Sequence, residues 1–343
     1  MRALLPVLLA VLPALVGCID ECVGFDEVAI EGGTTDQRAT VADALADFAG
    51  WTARGSICAD RITLQDEIRV DGLNGTALGR YDAGSHDIAV VAHQRFLYDT
   101  VVHELCHAVD FQDDVSIAFP ELFQLAPFYE VAGPREPDTL QREALALDCE
   151  VGPEALSMGR EVARRCGGPT SQERMGVLLG LVYTAWEPLV PVAPVTRVPR
   201  GSVALPSGFV PIGNQPVATS SDEQLLVLGQ VDGTAVAVAI DPVTGTIEPL
   251  RGGFVFDDEV PDAPARLFPF GAVDLGIGTM TAIHWPLASG ELLRFLAVRD
   301  EAGWSLPPDP CVDGLSWVVE AEGLPWLVEL DGETVRWSLL DAS

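Results

Sequence analysis

Apolar positions in the first half of this chain recur at helical spacing, whereas in the second half they fall in short strand-like blocks. Within Thr35–Trp51 and just beyond it, Val41, Leu45, Phe48 and Thr52 follow at i, i+4, i+7 and i+11, which predicts an amphipathic helix packed behind a sheet. Arg61–Val70 reads as a strand that ends in a turn at Gly72-Leu73-Asn74-Gly75. Ile88-Ala89-Val90-Val91, bounded by Gly84-Ser85, predicts a second strand. Phe96, Val101, Leu105 and Ala108 then recur near helical spacing through Phe96–Phe111, with no Gly or Pro between. Three further helices are expected. One runs through Leu140, Ala144 and Leu147 with Asp138 as its cap, one covers Glu154–Arg165, and one runs through Met175, Leu179 and Val182 behind a Thr170/Glu173 capping box.

Pro188, Pro191, Pro194 and Pro199 punctuate a stretch ending at Gly201, which reads as a semi-rigid linker. From Ser202 the helix signals vanish. Strand-like blocks at 225–228, 235–240 and 246–250, with a turn at Asp241–Gly245, are followed by hairpins at 295–306 and 326–339. The hairpins resemble propeller blades, but about 140 residues would make only some three blades, too few for a closed ring. A small β-sheet or sandwich is therefore expected. His284 beside Trp285 reads as structural, and Asp257-Asp258-Glu259 as a solvated loop.

The helix predicted over Phe96–Phe111 contains His103-Glu104-Leu105-Cys106-His107. Residues four apart on a helix differ by about 40° in azimuth and about 6 Å in rise, so both imidazoles can reach one ion. Glu104 lies about 60° around from His107, where it can hold a water for attack. This pentad is the HExxH arrangement of zinc hydrolases. Preceded by a strand, it resembles the zincin metallopeptidases, whose edge strand pairs with an extended peptide substrate. The resemblance implies an α+β fold for residues 35–187, bound Zn2+, a peptide or protein substrate, and Glu104 as general base. A mainly β domain of unknown role, 202–343, follows the linker 188–201.

Zinc requires a third protein ligand, and Asp110, Asp113, Glu130, Glu136 and Glu143 compete for the role. Glu143 is preferred, because the helix opening near Asp138 would present it from a second element, as in the gluzincin branch of the zincins. That branch often carries an aspartate four residues later, where this chain has Leu147 followed by Asp148. The alternative is Asp113, at a metzincin-like spacing from His103, although Asp110 stands where that pattern expects glycine. Zincins also use a Tyr, His or Arg as oxyanion donor. Tyr129, Tyr98, His93 and Arg142 are the nearby candidates, and Tyr129 is the one chosen.

Met1-Arg2 and the apolar stretch Ala3–Val16 have the proportions of a secretory signal, too short to span a bilayer comfortably. Leu15-Val16-Gly17-Cys18 resembles the bacterial lipobox. Residues 1–17 would then be removed, Cys18 would carry acyl chains that hold the protein to a membrane, and 18–34 would be an anchor segment. Asp20 is third in the mature chain, not second, so the expected address is the outer membrane of a bacterial cell envelope.

Six other cysteines, an even number, suit an oxidising compartment. Cys22 with Cys58, and Cys149 with Cys166, are the expected pairs. Cys106, inside the pentad, is expected as a buried thiol or a disulfide that braces the helix. The formal charge of −31 excludes nucleic acid as an electrostatic partner. All twenty basic residues are arginine, which excludes a lysine nucleophile or Schiff base. Two other function classes are consistent with these features: a metal-binding or partner-binding surface lipoprotein without turnover, and a purely structural envelope protein.

Overall fold

The structure, a computed structural model, describes residues 22–69, 76–129, 136–186, 190–212, 216–248, 254–255 and 267–342. The signal stretch, Cys18, the 72–75 turn, Glu130 and the 257–259 run lie outside these residues.

Thr34 starts the first helix, α1 (Thr35–Thr52): its hydroxyl accepts from the Gln37 N–H while the Gln37 side chain accepts from the Thr34 N–H. The apolar stripe of α1 packs where its spacing predicts, with Val41, Ala44, Leu45 and Phe48 all buried. The strands in this half are β1 (Ala29–Gly32), β2 (Arg61–Gln65), β3 (Ile68–Arg69), β4 (Thr76–Ala77), β5 (Gly79–Asp82) and β6 (Asp87–Val91). The stretch expected as one strand over Arg61–Val70 breaks at Asp66-Glu67, and β3 pairs with β4 as a small hairpin.

The main sheet has the order β1-β2-β6-β5, with β1, β2 and β6 parallel and β5 antiparallel to β6. The predicted strand at Ile88–Val91 is thus interior, and the edge belongs to β5. A continuous apolar block suits a strand flanked on both sides. Gly79-Arg80-Tyr81-Asp82 is too short and polar for a pattern to mark it.

The remaining helices are α2 (Leu97–Asp113), α3 (Val115–Ala118), α4 (Pro137–Cys149), α5 (Gly152–Cys166) and α6 (Pro169–Val177), the last running into a π turn at Leu178–Val182. Two expected caps are corrected. Glu136 is the cap residue of α4 and Pro137 opens it, leaving Asp138 in the first turn, where its charge complements the helix dipole. Pro169 likewise opens α6 behind Gly168, so Thr170 and Glu173 form no capping box. Asp114 ends α2 in the left-handed region, a conformation aspartate tolerates.

The second half contains β7 (Val195–Ala204), β8 (Val210–Pro211), β9 (Val217–Ser220), β10 (Leu225–Val231), β11 (Thr234–Ile240), β12 (Ile247–Glu248) and β13 (Phe254–Val255). It continues with β14 (Phe268–Asp274), β15 (Thr279–Pro286), β16 (Leu292–Asp300), β17 (Gly303–Ser305), β18 (Leu315–Ala321), β19 (Leu324–Asp331) and β20 (Thr334–Ala342). They form three antiparallel sheets: β12-β11-β10-β9-β13 with β8 on β10, β14-β15-β16-β17, and β18-β19-β20-β7.

The last of these is the middle layer of a stack. Trp317 and Val319 of β18 pack with Leu225 and Val227 of the first sheet, while Val318 between them packs with Met280 and Leu296 of the second. The expected single sheet or sandwich is therefore a three-layer stack. The expected linker 188–201 is partly strand: β7 begins at Val195 and pairs with β20 along its length, with Pro199 on an edge strand beside a register shift.

The two halves share a core. Ile283, Trp285 and Phe295 from β15 and β16 belong to the same buried cluster as Ile62, Ile88, Val101, Leu105 and Leu156. Disulfides join Cys22 to Cys58, Cys106 to Cys149 and Cys166 to Cys311. The expected Cys149–Cys166 pair is overturned, because these residues sit at the far ends of α4 and α5 and each finds a partner on another element. No helix among the described residues is long and apolar enough to cross a membrane.

Candidate metal centre

Helix α2 presents His103 and His107 one turn apart, with ring centroids 4.9 Å from each other. Helix α4 brings Glu143 against them: one carboxylate oxygen lies 3.6 Å from His103 Nε2 and the other 3.3 Å from His107 Nε2. One donor atom from each of the three residues falls within 4.8 Å of the others, and this is the one such group able to hold a metal ion among the described residues. Two imidazole nitrogens and one carboxylate form a donor set that suits zinc and leaves a coordination position open. The three side chains are partly exposed, so the site opens to solvent.

Three interactions hold α4 in this position. The Cys106–Cys149 disulfide links the inside of the pentad to the end of α4. The Arg142 guanidinium donates to the Asp110 carbonyl at 2.8 Å and to the Asp114 carboxylate at 2.6 Å, and it lies 4.0 Å over the Phe111 ring. Asp148 forms a fully buried ion pair with Arg174 of α6 at 2.5 Å, and its other oxygen accepts from the Ala288 N–H at 2.8 Å. Asp148 therefore ties α4 to the second half of the chain, whereas orienting a histidine takes a carboxylate at its ring nitrogen.

That orienting contact comes from Glu150, which sequence reasoning missed. Its carboxylate lies 2.7 Å from His103 Nδ1, so a proton held on Nδ1 leaves Nε2 free to bind a metal. Glu150 is seven residues after Glu143, two helical turns along one face, and that spacing was the available signal.

Glu104 is buried beneath the edge strand. The backbone N–H of Tyr81 in β5 meets its carboxylate. A Cβ at Gly79 would stand 2.3 Å from Glu104 Oε1 and 2.8 Å from Thr100 Cγ2, so only glycine lets β5 come this close. Burial pushes the Glu104 carboxyl up, and Glu143 adds to this against the opposing pull of the two histidines. Burial opposes charge on His103, yet Glu143 and then Glu150 outweigh it and raise the imidazole well above its ordinary value. Burial likewise opposes ionisation of Glu143, but His103 and His107 bring its carboxyl far below the usual range.

Two of the competing carboxylates are otherwise engaged. Asp113 pairs with Arg54. Asp110 is fully buried and accepts from the Ser116 N–H and hydroxyl at 2.7 and 2.6 Å. Glu136 is an exposed cap residue. Three of the oxyanion candidates have hydrogen-bond partners in the fold. Tyr129 directs its hydroxyl to the Leu287 carbonyl at 3.4 Å, Tyr98 donates to Asp47 at 2.7 Å, and His93 lies at 3.2 Å from the Gln37 amide nitrogen. Leu287 lies in the turn between β15 and β16, so the Tyr129 hydroxyl reaches the second half of the chain. His284 is buried on β15, with its Nε2 3.1 Å from the Ser316 hydroxyl, in keeping with a structural role.

In comparisons with known proteins, no family model matches this chain and no curated protein shows significant similarity to it.

Proposed function

We propose that this chain is a zinc-dependent peptidase of the zincin type, carried by a bacterial lipoprotein anchored through Cys18 to the cell envelope at the outer membrane. The observation that carries the reading is the convergence of His103, His107 and Glu143 beside a buried Glu104 that is not a ligand. Sheet polarity adds support, since the antiparallel edge strand β5 runs directly over Glu104.

His103, His107 and Glu143 would hold Zn2+, with Glu150 fixing the His103 ring. When bound, the ion would supply Lewis acidity to polarise a scissile carbonyl and to make water more acidic. Glu104, its carboxyl pushed up by burial, would take the proton from the attacking water and return it to the leaving amine. Contact with β5 keeps that carboxylate in one orientation and excludes bulk water from its strand side.

The test is zinc content together with cleavage of a peptide library by wild type, Glu104→Gln and Glu143→Ala. The reading expects one zinc per chain, cleavage abolished in Glu104→Gln with zinc retained, and zinc lost in Glu143→Ala. Metal binding without cleavage of any peptide would favour a binding lipoprotein, and absence of zinc from wild type would refute the metal centre.

A further inference from the structure

We propose that the exposed face of Phe111 is a substrate side-chain subsite, which gives the peptidase a preference for a large apolar, especially aromatic, residue close to the scissile bond. This rests on the peptidase reading above. Phe111 lies one turn beyond His107 and two turns beyond Glu104, so it shares their side of α2. The buried apolar residues of that helix are at most 7% exposed, whereas Phe111 is 43% exposed.

A single exposed phenylalanine is ordinary on a protein surface. What distinguishes this one is its surroundings. Its ring is 5.4 Å from the Tyr81 ring and 4.0 Å beneath the Arg142 guanidinium. Tyr81 belongs to β5, and its own N–H meets Glu104; Arg142 immediately precedes Glu143. Helices α2 and α4 of the metal centre and the strand β5 over Glu104 thus each contribute one residue to this corner.

The walls are fixed before any ligand arrives. The Tyr81 hydroxyl donates to the Cys58 carbonyl at 2.9 Å, and Arg142 is held by Asp110 and Asp114. A side chain entering here would therefore meet a preorganised surface. The rise from His107 to Phe111 is about 6 Å, or about two residues of extended chain, which places the recognised side chain within about two positions of the bond cleaved.

Charge selects against the alternatives. The guanidinium already over the ring repels a second cation, so the aromatic face does not suit a basic side chain. An acidic side chain finds Arg142 already satisfied by two carboxylates, in a chain of net charge −31. An apolar side chain loses nothing to either.

The test compares the zinc-loaded full chain with Phe111→Ala and Phe111→Leu on fluorogenic peptides. Each position within two residues of the cleaved bond carries Phe, Leu, Ala, Arg or Asp in turn. Wild type is expected to favour Phe over Ala by about tenfold or more in kcat/KM at one position. Phe111→Ala should reduce that preference below about threefold with zinc content intact, and Phe111→Leu should retain most of it. The same peptides, fluorescently labelled, are titrated by anisotropy against zinc-loaded Glu104→Gln with and without Phe111→Ala. This arm decides the subsite even if no peptide is turned over, an outcome that would count against the peptidase reading alone. A preference for Arg or Asp, a Phe preference that survives Phe111→Ala, or equal binding of Phe and Ala peptides would overturn the subsite.

Discussion

Glu150 holds His103 from behind: its carboxylate oxygen is 2.7 Å from Nδ1, while Nε2 of the same ring turns toward Glu143. A carboxylate behind a ligating imidazole fixes its tautomer and orientation, and loss of such a partner typically costs 10- to 100-fold in metal affinity. Glu150→Ala is therefore expected to weaken zinc binding by about that factor in a competition titration with a chromophoric chelator, with circular dichroism unchanged. An affinity within twofold of wild type would remove Glu150 from the site.

Gly79 should govern Glu104 without touching His103, His107 or Glu143. Gly79→Ala places a methyl where Glu104 Oε1 and Thr100 Cγ2 now stand, so either β5 or the carboxylate must move. The expected result is a fall in kcat of about tenfold or more, equivalent to about 1.4 kcal/mol, at unchanged zinc stoichiometry. Steady-state kinetics alongside metal analysis makes the comparison, and a kcat within twofold of wild type would rule out the strand contact as a positioning device.

The Cys106–Cys149 bridge spans 43 residues of sequence, and the loop-entropy relation for that length gives up to about 4 kcal/mol of stabilisation. Because it clamps α2 to α4, replacing both cysteines by alanine should lower the free energy of unfolding by about 2–4 kcal/mol in denaturant titration and weaken zinc binding as well. A stability loss with no change in zinc affinity would show that other α2–α4 contacts suffice to hold Glu143 in place.

His284 makes stability depend on pH. Burial and then the nearby Arg294 lower its imidazole to about 4, so it stays neutral in the fold while the unfolded chain takes up a proton near 6.5. Between those values the unfolded state binds more protons, so stability falls as pH falls. The contribution lost between pH 7.5 and 5 is about 2 kcal/mol. His284→Gln keeps an acceptor for Ser316 and should flatten this part of the stability–pH curve; an unchanged slope would assign the dependence to other groups.

Much of the first half is legible because helix periodicity is a local property. The stripe of Val41, Leu45 and Phe48 marks the buried face of α1, and the gap-free pattern around His103 and His107 marks α2. Where a start depends on backbone chemistry, side-chain reading misplaces it: Pro137 and Pro169 open α4 and α6, and the caps expected at Asp138 and Thr170 do not form. The edge strand β5 stays hidden because four mixed residues carry no period, although a glycine in a strand is a recognised sign of close backbone approach.

By itself, the sequence determined that two imidazoles and a carboxylate share one stretch of helix, since their spacing is fixed by 3.6 residues per turn. It also determined a helical half and a strand-rich half, and named Glu143 and Asp113 as rivals. Only the tertiary structure decided which carboxylate faces the imidazoles. Asp113 lies at the end of the same helix and turns to Arg54, while Glu143, 30 or more residues from the pentad, arrives through the packing of α4 on α2. The disulfide partners, the role of Glu150 and the docking of the β15–β16 hairpin on Asp148 follow from that same packing. Such contacts depend on how whole elements cross, and no local period along the chain encodes a crossing.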